Sequence, residues 1–343
     1  MRLALGHIDE FDERVARFAQ QLGLRSVQFH APANLPGTDG YWTVDELVAL
    51  RTQCDEYGLR VEGLENVPAH HWDSVVRGEP GRDEQLDNYC RTIRGMAEAG
   101  IFVLGHHFMA TYVWRTELTA PGRGGALVTR FDLADAERGN ALAAYKLVPP
   151  RPLAEPITAE QMWANYATFL EAVLPVAEQA GVRLVLHPDD PPVDVPLGGA
   201  ARIFTSPAAL ARAAELAGDS PAWGLNLCLG TVSEMTGGQA AVEEVIDHFG
   251  PRIASVHFRD VRGTVPNFQE AFLGEGNFRP AAVLRRLADV GFDGFVIDDH
   301  VPVLDGDAGP WTGTDPDTYC SRGRAHAIGY LQGLFEALNL TDR

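Results

Sequence analysis

Eight short apolar runs, each separated from the next by a helical segment and a glycine-containing turn, constrain this chain more than any other feature. They are Met1–Leu5, then LRSVQFH (24–30), LRVEGLE (59–65), IFVLGHH (101–107), VRLVLHP (182–188), WGLNLC (223–228), IASVHF (253–258) and FVIDDH (295–300). Between them, DERVARFAQQLG, VDELVALRTQCDEYG, LDNYCRTIRGMAEAG and PAAVLRRLADVG carry apolar residues at helical spacing and end in a glycine, where a helix C-terminal cap belongs. Strand and helix alternating about eight times predicts a (β/α)8 TIM barrel. An open doubly wound sheet is the rival, but no G-x-G-x-x-G follows the first run. The 343 residues fit one such domain, 1–343, and no linker divides them. Regular alternation breaks once, at a long insertion after the fourth strand (108–161) containing TAPGRGGALVTR and KLVPPRPLAEP. It reads either as a lid over the barrel mouth or as a peripheral subdomain or oligomer contact. Trp114 and Trp311 read as lid packing rather than sugar platforms.

In a barrel the carboxyl ends of the strands converge on one face, whatever their distance in sequence. Here those ends read His30, Glu65, His107, His187, Cys228, His257 and Asp299. A lone histidine is more often structural, but seven metal ligands or acid/base groups at seven strand ends point to a catalytic face. His187, Cys228 and His257 end consecutive strands and Asp299 ends the next. Imidazole, thiolate and carboxylate donors placed where substrate enters suit an open site for Zn, Fe(II), Co or Mn. Asp298 and Asp299 are strand neighbours and cannot both face it; Asp299, next to His300, is the expected ligand. Cys228 alone would be a small buried filler, and its neighbours turn the reading toward a ligand. Asp189 and Asp190 either orient His187 or cap their own loop. Glu65 binds substrate or a metal-bound water, or is a solvated strand end.

Several function classes are excluded. The formal charge of -19 would repel nucleic acid. No run reaches about 18 consecutive apolar residues, so no membrane span is expected. The opening MRLALGHIDEFDERV lacks a secretory pattern, which predicts a cytoplasmic protein. Lys146 is the only lysine and follows no Gly-rich loop, which argues against Schiff-base and P-loop chemistry. Four cysteines without a C-x-x-C pair indicate neither a disulfide scaffold nor a structural zinc site.

HPDDPP, the N-x-C-x-G at 226–230, HFRDV at 257–261, DH at 299–300 and GRAHAIGYLQGL at 323–334 together resemble D-mannonate dehydratase. The likeness extends to ENVPAHH (65–71), RDEQLDNYCRTIRGMAEAGI (82–101) and FMATYVWRTEL (108–118). It implies a xylose-isomerase-like TIM barrel of hexuronate breakdown, dehydrating a sugar acid to a 2-keto-3-deoxy acid. The resemblance places the metal ligands on His187, Cys228, His257 and Asp299. It implies Mn2+, with Fe2+, Co2+ or another divalent ion as alternatives. It places the acid/base pair on His300 and Tyr319, without saying which is which, and a pocket histidine on His70. His107, Arg259 and Glu65 join His70 as expected substrate-binding residues. The expected partner is a small sugar acid or sugar, in a homo-oligomer.

The substrate-reading motifs depart from that family. RPDHG becomes IDDHV, so Ile297 stands where an arginine is expected, and YNFMP…DWTRT becomes HHFMATYVWRT, with His107 and Val113 at altered positions. The first strand, LALG, lacks the usual Trp and Tyr. A lost guanidinium removes a bidentate carboxylate contact, and Arg115, Arg202 and Arg259 are the candidates to replace it. Dehydration of D-mannonate or a related aldonate is the leading reading. A sugar isomerase or epimerase on the same scaffold, or a non-catalytic sugar-acid-binding relic, are the alternatives.

Overall fold

The computed structural model describes residues 1–140, 142–143, 153–307 and 319–340, so Lys146 and Trp311 lie outside the described residues. All eight apolar runs are parallel strands of one closed barrel. They are β1 (Arg2–Ile8), β2 (Ser26–His30), β3 (Arg60–Glu65), β4 (Val103–His106), β5 (Arg183–Leu186), β6 (Trp223–Cys228), β7 (Ile253–Phe258) and β8 (Phe295–Asp298). Each strand pairs with its neighbour in sequence, and β8 closes on β1 through Arg2–Phe295, Leu3–Val296 and Ala4–Ile297.

Local chemistry starts the helices between them. Thr43 Oγ1 accepts from Glu46 N at 3.3 Å while the Glu46 carboxylate accepts from Thr43 N at 2.7 Å. This reciprocal cap opens helix Val44–Glu56, and Thr158 with Gln161 does the same for Ala159–Ala180. Outward strand residues such as Leu104, Leu186, Leu227 and Val296 are buried against helix residues such as Leu47, Ile93, Phe169 and Leu284. Each fully buried side chain of this kind contributes about 1.5–3 kcal/mol. Inward residues Ala4, Phe295 and Ile297 form a small cluster of their own. A Cβ on Gly6 would lie 2.3 Å from the Ile297 Cβ, so glycine is what lets β1 pass that side chain. Ile297 therefore packs inside the barrel, two residues below Asp299 on the same alternation.

Two differences from the sequence expectation bear on the site. First, β1 continues past Leu5 to Ile8, because a register shift lets Ile8 pair with Phe29 and keeps the strand in the barrel. Second, the insertion is tied to the barrel mouth. Its strands Glu117–Pro121 and Leu127–Asp132 join Asp260–Thr264 and Asn267–Ala271, a hairpin beyond β7, in a four-stranded sheet. Phe131, Val193, Leu197, Val261 and Phe268 make its core, with Trp114 packed against them. The hairpin is pinned by the buried Asp260 carboxylate, which accepts from Val261 N, Gly274 N, Gly276 N and Asn277 N at 3.0–3.1 Å. Among the described residues no helix is long and apolar enough to cross a membrane.

Candidate active site at the barrel mouth

Strand register brings the expected ligands together. Cys228 at the end of β6 lies opposite His257 on β7, and His187 follows β5 directly. One donor atom from each of His187, Cys228 and His257 lies within 4.8 Å of the other two, and all three residues are buried. Asp299 Oδ2 lies 3.7 Å from Cys228 Sγ and 3.8 Å from His257 Nδ1. Each imidazole is oriented by its other nitrogen. His257 Nε2–H donates to Glu65 Oε2 at 2.9 Å, and His187 Nδ1–H donates to the Pro188 carbonyl at 2.6 Å. These bonds leave His257 Nδ1 and His187 Nε2 for the cluster.

Electrostatics favours the ligand form of the thiol. Burial alone would raise the Cys228 pKa, but the Arg259 guanidinium and hydrogen bonds from His187 and His257 bring it down to about 5. Burial would favour neutral His257, yet Glu65 and the Cys228 thiolate push its pKa well above the usual range, a pull on positive charge that a bound cation would satisfy in place of the proton. The same thiolate raises His187 against its own burial. A thiolate, a carboxylate and two imidazoles converging on one point therefore attract positive charge. The donor set fits a divalent cation of borderline softness.

Asp299 links this cluster to the second pair. Its Oδ1 accepts from Tyr319 OH at 3.2 Å and lies 3.7 Å from His300 Nε2. On its other side, His300 Nδ1–H meets Glu270 Oε1 at 2.6 Å. Burial would raise the Glu270 pKa, but His300, Arg115 and Arg259 bring it down to about 2, so the partner is a carboxylate. Glu270 accepts from Arg115 Nη2 at 3.0 Å and Arg259 Nη1 at 2.8 Å. Asp190 takes both Nη atoms of Arg115, at 2.5 and 2.9 Å, and Arg259 Nη2 at 2.9 Å.

A cavity of about 440 Å³ opens above these groups. Glu65, His107, His187, His257, Asp299, His300 and Tyr319 all line it; His70 and Arg259 do not. His70 is on the exposed side of the turn Ala69–His71, with His71 the buried one. Arg259 is enclosed by Asp190, Glu234, Glu270 and Asp299. Glu65 also accepts from Gln28 and Asn226, so its oxygens serve the site's frame. His107 Nδ1 accepts from Met109 N, which leaves its Nε2 side. Of the other candidate arginines, Arg115 is paired as above, and buried Arg202 donates to the Tyr112 carbonyl. Asp189 accepts from Ile203 N and Phe204 N, capping its loop, while Asp190 holds the two arginines. Neither carboxylate touches the His187 ring, which the Pro188 carbonyl orients instead. Asp298 turns away to Arg324 and Gly6 N, as the alternation requires.

His7 and Glu270 also belong to the site, and neither was expected from the sequence. His7 could have been found by extending the first apolar run three residues, but nothing in the spacing marks Glu270.

A family model described as D-mannonate dehydratase (UxuA) matches residues 19–343. Mannonate dehydratase 2 of Halalkalibacterium halodurans is 30% identical over 319 residues, covering 88% of this chain and 89% of that protein. The crystal structure of mannonate dehydratase from Streptococcus suis serotype 2 superposes with a TM-score of 0.81 at 27% identity, covering 98% of this chain and 93% of that one. A xylose isomerase domain protein from Planctomyces limnophilus, at 15% identity and a TM-score of 0.61 over 99% of both chains, shares the fold.

Proposed function

Because the chain belongs to the D-mannonate dehydratase family, and is a hydro-lyase acting on a sugar acid, we propose that it converts D-mannonate or a close aldonate to a 2-keto-3-deoxy acid and water. The observation that carries the residue assignments is the double engagement of Asp299. One oxygen faces the His187–Cys228–His257 cluster, and the other faces Tyr319 and His300.

His187, Cys228, His257 and Asp299 would hold the divalent ion, Mn2+ in this proposal, with Fe2+ or Co2+ able to serve. A cation bound there supplies positive charge beside the substrate carboxylate, which lowers the cost of removing the adjacent C2 proton by several kcal/mol. The remaining work falls to the chain. The Glu270 bond fixes the proton of His300 on Nδ1, so unprotonated Nε2 is the base that takes the C2 proton. Glu270 and Asp299 then stabilise the imidazolium. Tyr319 OH is the acid that protonates the departing C3 hydroxyl, oriented by Asp299. Water leaves, and the enol tautomerises to the 2-keto acid. His107 and Glu65 line the substrate cavity in this reading.

The chain is proposed to be one domain, 1–343, with 108–161 as its lid. In support, Met109, Tyr112 and Val113 line the cavity, and the insertion's strands brace the hairpin that carries Glu270. The proposal extends to hexuronate breakdown in the cytoplasm; all four cysteines are free and buried, as suits a reducing compartment. A homo-oligomer is included, to be read from sedimentation of the purified protein. The test of the mechanism is turnover of D-mannonate by wild type, His300→Asn and Tyr319→Phe. Wild type should form product, and each variant should lose about 10²–10⁴-fold in kcat. Variants as active as wild type would remove both residues from the reaction.

A further inference from the structure

His7 has no role in the chemistry above, yet the structure holds it with unusual care. Its ring is the middle member of a three-ring stack. His30 lies 4.1 Å away between centroids at 18°, and Tyr319 lies 4.0 Å away at 8°. Both ring faces are covered, so His7, which lines the cavity, can present only its edge there. The backbone N–H is already used, donating to Gln28 Oε1 at 2.7 Å. Among the described residues neither ring nitrogen has a hydrogen-bond partner.

The backbone carries strain at the same place. His7 sits at φ +52, a left-handed conformation that residues with a Cβ adopt at a cost. Ala31, Asn66 and Tyr112, at φ +38, +57 and +60, line the same cavity. Strain gathered around one cavity is sustained by packing and belongs where side chains must meet a ligand. Burial also keeps the His7 imidazole neutral, its pKa well below the usual value. A neutral ring edge offers one donor and one acceptor, the pattern of a hydroxyl group. A phosphate or second carboxylate would call for a cation, and Arg115, Arg259 and Arg324 are already committed to protein carboxylates.

We propose that His7 is a substrate-binding residue whose ring edge hydrogen-bonds a hydroxyl of the polyol chain, while its face aligns the Tyr319 phenol. The proposal rests on the sugar-acid reading above. Its test is steady-state kinetics with D-mannonate and Mn2+ for wild type, His7→Phe and His7→Gly, together with thermal melts. His7→Phe keeps a ring in the stack but has no nitrogen, and should raise KM about tenfold while largely sparing kcat. His7→Gly removes the stack as well, and should raise KM and also lower kcat. Its melting temperature should fall only modestly, because the relief of the left-handed backbone offsets part of the packing lost from the stack. KM unchanged in His7→Phe, with wild type active, would overturn the proposal alone. A wild type that leaves D-mannonate untouched would overturn the sugar-acid reading and this proposal together.

Discussion

Replacing Glu65 with glutamine tests how the donor cluster is built, at nearly constant side-chain volume. Three donors reach this carboxylate: His257 Nε2 and Gln28 Nε2 at Oε2, 2.9 and 3.0 Å away, and Asn226 Nδ2 at Oε1, 3.2 Å away. A glutamine oxygen in the Oε2 position keeps the first two, and its NH2 then faces Asn226. The Asn226 amide can rotate to meet it, since among the described residues its own Oδ1 is buried without a partner. The variant should therefore fold, losing no more than about 1–2 kcal/mol. What it loses is the charge on the bond to His257, and charge-assisted bonds are about twice as strong as neutral ones. Such partners behind a metal-bound histidine are worth about 10–100-fold in metal affinity, or about 1.4–2.8 kcal/mol. Competition between the protein and a chromophoric chelator for Mn2+ measures this directly. An affinity within about twofold of wild type would refute the idea that Glu65 orients a ligand.

Three further outcomes follow from other parts of the structure. Glu270→Gln weakens the bond that fixes the His300 tautomer, so kcat should fall about 10–100-fold with little change in KM; a change confined to KM would contradict the base assignment. His106 is fully enclosed against Tyr166 and Phe169, both ring nitrogens lack partners among the described residues, and burial pulls its pKa down to about 3. Its folded value lies below its unfolded value, so its contribution is complete above about pH 6.5 and is lost as pH falls toward 3, at about 1.4 kcal/mol per pH unit. His106→Phe should flatten the slope of unfolding free energy between pH 6 and 4 by about that amount, and an unchanged slope would refute it. Asp260→Ala strands four backbone N–H groups and should cost about 2–5 kcal/mol in urea unfolding, whereas a loss under about 0.5 kcal/mol would show that water replaces the carboxylate.

The barrel was legible because its strands are buried on both faces and read as short, mostly apolar runs, broken only by single buried polar residues such as Gln28, Glu62, Asn226 and Ser255. The cluster was legible for a related reason. Strand ends share one face, so His187, Cys228, His257 and Asp299 could be placed together without knowing any distance. Arg259 follows His257 by two residues and therefore points the same way. Its four carboxylate partners, however, come from four separate segments, so a residue expected to meet substrate is consumed by the protein itself. Glu270 was hidden because it lies on a hairpin whose pairing with Leu127–Asp132 spans more than a hundred residues. His7 was hidden because Gly6 reads as a strand breaker, whereas in the fold it is the gap that admits Ile297. His70 and His71 are adjacent, and only the path of the turn decides which is buried.

In the proposed reaction this mouth of imidazoles, thiolate and carboxylates removes the C2 proton of a sugar acid and expels its C3 hydroxyl. A proton NMR time course of the Mn2+-loaded protein with D-mannonate in D2O, sampled after quenching and metal removal, measures both events. The C2 proton signal should disappear and 2-keto-3-deoxy-D-gluconate carrying one deuterium at C3 should appear. Exchange or epimerisation at C2 without a deoxy product, or an unchanged spectrum, would contradict it.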